Sequence, residues 1–251
     1  MSYSLTKQLL ASDEQAYKKA TQSEFLRLAG NGKASKDILG RWLANDRLYI
    51  HSYCRGLGHL LSFLQYPDTV QQNVKPDSAT RLLDWIVAAL VNIRREEKFF
   101  INTAFEYGIN INLETKDGKV QSSTKLEGLR RWEALYASVA PNEKDVLPWL
   151  EAAVIYWGTE KCYLDAWSWA KAQLDESDGT NDADGGAVRK EFINNWTCKE
   201  FVDFVDDLGK IIDDAVAKVV EEGGDKEKLF KRVQGKWHDV LDAEEAFWPA
   251  V

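Results

Sequence analysis

Helical periodicity governs nearly the whole chain. Apolar residues return every three or four positions, and no stretch alternates apolar with polar for long enough to make a sheet strand. This constrains the fold more than any motif, because amphipathic helices bury their stripes against one another. Only five prolines interrupt the pattern. A first helix is expected from about Ser12 to Ala29, ended by Gly30-Asn31-Gly32. Ser35-Lys36-Asp37 opens a second, running to about Leu64 before Pro67. Asp77-Ser78-Ala79 opens a third, ending at Tyr107-Gly108. Residues 110–123, with Asp117-Gly118, read as a loop or at most a small hairpin. Further helices are expected over Thr124–Ala140, Asp145–Leu174, Val188–Asn195, Lys199–Val220 and Lys226–Phe247. The acidic, glycine-rich DESDGTNDADGG (175–186) reads as a loop. No fixed-period repeat or Pro/Ser-rich linker divides the sequence, so residues 1–251 are expected to form one all-α domain, a bundle of seven or eight helices.

Composition narrows the function. Thirty-two basic against 40 acidic residues give a net charge of -8, which sets up no long-range attraction for nucleic acid or an anionic membrane. No apolar run approaches the roughly 18 residues of a membrane span, and MSYSLTKQLL does not read as a signal peptide, so a cytoplasmic protein is expected. Three cysteines without a CxxC pair and three histidines argue against a disulfide framework, structural zinc or a multi-histidine metal centre. The acidic loop approaches a calcium loop at Asp182, Asp184, Gly185 and Glu191, but Thr180 stands where the first carboxylate is needed. Arg94-Arg95-Glu96-Glu97-Lys98 reads as solvent-face ion pairs, unless one of the glutamates turns inward.

Ten tryptophans against one methionine mark an aromatic interior. Three helices carry an acid inside an aromatic stripe at helical spacing. They are Trp42, Asp46, Tyr49 and Tyr53; Tyr156, Glu160, Tyr163 and Trp167; and Trp237, Leu241, Glu244 and Trp248. A single inward acid is usually satisfied by a neighbouring Tyr, Trp or Arg. Three of them favour a shared polar pocket in which burial raises carboxyl pKa values toward the range of acid–base catalysts. Such a pocket suits a flat, nitrogen-bearing ring, stacked by aromatics and hydrogen-bonded by carboxylates.

These stripes carry a family resemblance. WLANDRLYIHSY (42–53) is similar to the W-L-x-Q-D-x-x-Y helix of the TenA (thiaminase II) family. FINNWTCKEF (192–201) resembles its W-I-x-x-Y-S-x-x-x-F segment, and LDAEEAFW (241–248) its L-E-x-x-F-W. The similarity runs from about residue 20 to 248. VIYWGTEKCY (154–163) lacks the cysteine of the P-C-x-W-x-Y branch and resembles instead the A-I-E-x-x-Y branch, aligned on Glu160 and Tyr163; Cys162 faces elsewhere and reads as a core thiol. Trp196 stands where the family has a tyrosine, and the family's pocket tyrosine has no clear counterpart in KLEGLRRWEALY (125–136).

The resemblance implies a haem-oxygenase-like helical bundle that hydrolyses an aminopyrimidine derived from thiamin, in pyrimidine salvage. Asp46 would bind the ring's amino group or nitrogens, Tyr49 and Tyr163 would orient it, and Trp196 would pack on a ring face. Glu160 and Glu244 would share acid and base duty. It implies no metal or organic cofactor, and a homodimer or homotetramer. The competing expectation is a non-catalytic member that binds a small aromatic ligand or serves as a regulatory subunit.

Overall fold

Side-chain caps set the helix boundaries in the computed structural model, which describes residues 3–69, 72, 75–142 and 145–251. The stretch expected as one helix from about Ser12 to Ala29 is two, α2 (Glu14–Thr21) and α3 (Glu24–Gly30), and a further helix that was not expected, α1 (Leu5–Ser12), precedes them. Asp13 ends α1 and restarts the chain as α2 by accepting from the Ala16 amide, and Ser23 does the same for α3 at Leu26. Ser35 caps α4 (Lys36–Phe63) and Asp77 caps α5 (Ser78–Tyr107), which Gly108 ends in the left-handed conformation at φ 63°.

Between α5 and α6 (Glu127–Ala137) the chain makes a two-residue hairpin. β1 (Thr115–Lys116) pairs antiparallel with β2 (Lys119–Val120) around Asp117-Gly118, both at positive φ. The remaining helices are α7 (Leu150–Lys171), a π-helical turn (Val188–Phe192) leading into α8 (Ile193–Trp196), α9 (Lys199–Glu221) and α10 (Lys226–Glu245). The expected helix from Asp145 begins five residues later, at Leu150.

The long α7 is the axle of the bundle and is buried on most sides. It packs against α2, α3, α8, α9 and α10, while α4 packs on α5 and α6, and α5 on α9. The core is aromatic as expected. Trp42 lies among Phe25, Tyr163, Trp167, Trp196 and Trp248, with ring centroids 5.3–6.3 Å away. In the acidic loop, Asp184 accepts from the Gly186 and Val188 amides, and Asp182 pairs with Arg189 at 2.8 Å. These carboxylates are engaged in folding the approach to α8, which carries Trp196. No helix among the described residues is long and apolar enough to cross a membrane.

Candidate functional site

Where α4, α5, α7, α8 and α9 face one another they leave a cavity of about 280 Å³. Helix α4 contributes Asp46, Tyr49 and Tyr53; α7 contributes Thr159, Glu160 and Tyr163; Trp196 of α8 and Phe201 and Phe204 of α9 complete the aromatic wall. The fourth side is α5, through Ala89, Ile93, Glu96 and Phe100. Exposed Arg95 and Glu200 lie at the outer edge.

Hydroxyl groups hold the carboxyls in place. The Tyr53 hydroxyl donates to Glu160 Oε1 at 2.6 Å, and that of Tyr163 donates to Asp46 Oδ2 at 3.2 Å. Among the described residues, Asp46 Oδ1 and Glu160 Oε2 have no protein partner, so each acid keeps an oxygen for a ligand. The Tyr49 hydroxyl shares hydrogen bonds with Thr159 Oγ1 (2.7 Å) and Tyr136 Oη (2.8 Å). Glu96 is held hardest: the Trp196 indole N–H donates to Oε1, and the Asn195 amide donates to both oxygens at 3.0 and 3.1 Å.

Burial dominates the electrostatics. It pushes Glu160 up to about 7, with the Glu96 charge adding to the rise and the Tyr53 hydroxyl opposing it. Burial, then Glu96 and Glu160, raise Asp46 well above the usual carboxylate range, against the pull of Tyr163. Glu96 is raised by burial too, but the Trp196 and Asn195 donors and nearby Arg95 all favour its charged form. Three of the four acids that line the cavity, Asp46, Glu96 and Glu160, therefore compete for charge in an aromatic surround, while Glu200 is exposed at its edge.

Asp46, Tyr49, Glu160, Tyr163 and Trp196, all singled out from sequence, line this one cavity. Glu244 does not, and the expected convergence of all three striped acids is corrected. It is buried one layer behind, with Oε1 enclosed and unpartnered. Burial first, then Asp46 and Glu160, push it well up, and the Trp132 indole opposes the shift without forming a well-shaped hydrogen bond. The reason is that a helical stripe fixes which side of α10 faces inward, but not which neighbour it meets. Trp196 also differs from expectation. Phe192 stacks on it at 4.9 Å and Trp167 crowds it at 4.3 Å, so its contribution to the cavity is an anchored edge more than a free face. Cys162 is fully buried outside the cavity, and burial pushes its thiol up. Tyr136 stands behind Tyr49, one hydrogen bond from the wall.

From sequence the 94–98 run reads as a solvent face unless Glu96 or Glu97 turns inward, and Glu96 is not assigned to the site. Glu97 does make the outward pairs, with Arg94 and with His51 at 2.9 Å, while Glu96 turns in. The signal was present: Ala89, Ile93, Glu96 and Phe100 follow the same four-three-four spacing as the other stripes.

An all-α bundle with an acid-and-aromatic cavity between its helices defines the class, and solved structures share the architecture. A TenA homologue from Pyrococcus furiosus superposes with a TM-score of 0.69 at 20% identity, over 97% of this chain and 98% of that one. A TenA homologue from P. horikoshii gives 0.69 at 16%, over 98% and 97%. A protein from Silicibacter sp. TM1040 named a TenA family transcription regulator gives 0.65 at 14%, over 97% and 94%. The fold is thus the all-α haem-oxygenase-like bundle of the TenA homologues. No family model matches the sequence. A curated relative from Fusarium pseudograminearum, named a probable transcription factor, is 25% identical over 95% of this chain. The chain spans about half that protein's length, 51%.

Proposed function

We propose that this chain is a TenA-type hydrolase of an aminopyrimidine or formylaminopyrimidine, of the branch with glutamate in place of the cysteine nucleophile. The observation that carries the reading is Glu160: a buried carboxyl poised near pH 7, hydrogen-bonded by Tyr53, with one oxygen left facing the cavity. Asp46 and Tyr163 form a neighbouring acceptor–donor pair for the ring's amino group and nitrogens, and the cavity suits one substituted heteroaromatic ring. Glu160 would deliver a proton to the departing ammonia or amine and, once ionised, activate water. Tyr49 and Thr159 would orient the ring from the same wall. Purified protein is incubated with aminomethyl- and formylaminomethyl-pyrimidines. Ammonia or formate is expected from the wild type, and about a hundred- to ten-thousand-fold less from Glu160→Gln. No release from either compound rejects the reading.

Two observations favour a second reading, a ligand-binding regulatory chain. One is the half-length match to a protein named a probable transcription factor, and the other is that Glu244 does not reach the cavity. It forecasts saturable binding of the same pyrimidines with no product. Either way a homodimer or homotetramer is proposed, supported by apolar side chains left exposed along α5, of which Phe105 is 88% accessible and Val91 66%. Sedimentation at micromolar concentration should give two or four chains, and a monomer throughout would reject assembly.

A further inference from the structure

Glu96 is the one acid of the cavity whose two oxygens are both occupied by protein donors. Three charge-assisted hydrogen bonds, from Trp196 and Asn195, stabilise its ionised form, whereas Asp46 and Glu160 each receive one hydroxyl. Like charges confined in a cavity of about 280 Å³ walled by rings cannot all ionise together. The donors favour the charge on Glu96 against the burial that raises it, and after burial itself the field of that charge is what raises both Asp46 and Glu160. Arg95 is the only basic residue lining the cavity among the described residues, and it is exposed at the edge. The anion therefore lacks a buried counterion, a costly arrangement that a ligand bringing positive charge would relieve. Rings such as Phe100 and Tyr163 add an electrostatic preference of the same sign.

We propose that Glu96 is a specificity-determining residue that makes the cavity select flat aromatic ligands bearing a protonated amine over their neutral isosteres, with Trp196 and Asn195 as its positioning residues. This rests on the proposed function for the kind of ring, but not for the charge. Within that function it favours the free aminomethyl compound over the neutral formylated one.

Two matched pairs test it by calorimetry at pH 7: aminomethyl- against hydroxymethyl-pyrimidine, and benzylamine against benzyl alcohol. In the wild type the cationic member of a pair that binds is expected to bind about tenfold tighter or more. Glu96→Gln should abolish that preference while leaving the neutral member's affinity within about threefold. Trp196→Phe, which keeps a ring and removes the N–H, should reduce it partway. Circular dichroism of both variants checks that the helices persist. Equal binding of charged and neutral members, an unchanged preference in Glu96→Gln, or no binding of any cationic ring overturns the proposal. Pyrimidines that bind without charge preference would overturn it while leaving the aminopyrimidine reading intact. A preference confined to the benzyl pair would uphold it and remove the pyrimidine.

Discussion

Glu160 and Glu244 are each the single acid of an aromatic stripe, yet they have different access to chemistry. Glu160 lines the cavity with an oxygen that no protein group among the described residues engages, whereas Glu244 is enclosed outside it, and burial raises its carboxyl well above the usual range. An amide is nearly isosteric with a carboxyl, and Glu244 does not line the cavity. Glu244→Gln is therefore expected to keep kcat/KM within about tenfold of wild type, in contrast to Glu160→Gln. Steady-state rates of the two variants check this, and an equal collapse would mean that Glu244 acts in the reaction. At this scale the sequence was readable where an acid interrupts an aromatic run, as at Asp46 and Glu160. At Glu96 it left the direction open, because four flanking charges masked the inward spacing and α8, 99 and 100 residues further along the chain, supplies the donors. No local pattern announces Asn195 or Trp196 as partners of Glu96.

Between elements, close backbone approaches decide how the aromatic stripes meet. Helix α6 crosses the end of α10 at Gly128, whose amide donates to the Ala246 carbonyl at 3.0 Å. A Cβ there would lie 2.3 Å from the Phe247 amide nitrogen and 2.6 Å from the Ala243 carbonyl oxygen, so the two backbones would have to part. Gly128→Ala is expected to destabilise the fold by about 1–3 kcal/mol, read by urea denaturation, despite alanine's better helix propensity. A stabilised variant would show that α6 moves freely over α10. The long helices α4, α5, α9 and α10 were legible to within a residue or two, because cap signals and period agree. Helix α1 and the break between α2 and α3 were not. Ser23 is an unremarkable polar residue inside a continuous helical pattern, and only its hydrogen bond from the Leu26 amide reveals it as a cap.

For the molecule as a whole, the buried acids oppose the usual rise of stability with pH. Glu160 titrates near 7 in the fold against 4.5 ordinarily, so between those values the native state binds more protons than the unfolded chain. Stability must then fall as pH rises through that window, by about 3 kcal/mol from Glu160 alone at roughly 1.4 kcal/mol per pH unit. Asp46 and Glu244 are shifted in the same direction. The paired carboxylates Glu151, Asp214 and Glu97 are lowered instead; their contribution is lost only on acidification below their ordinary range, so they do not obscure the window. Urea unfolding at pH 5 and pH 8 should therefore give a less stable protein at pH 8. Glu160→Gln removes the titrating group and should shrink the difference by about 3 kcal/mol. A wild type more stable at pH 8, or a variant with the same pH dependence, would mean that Glu160 is ionised in the fold as readily as in water.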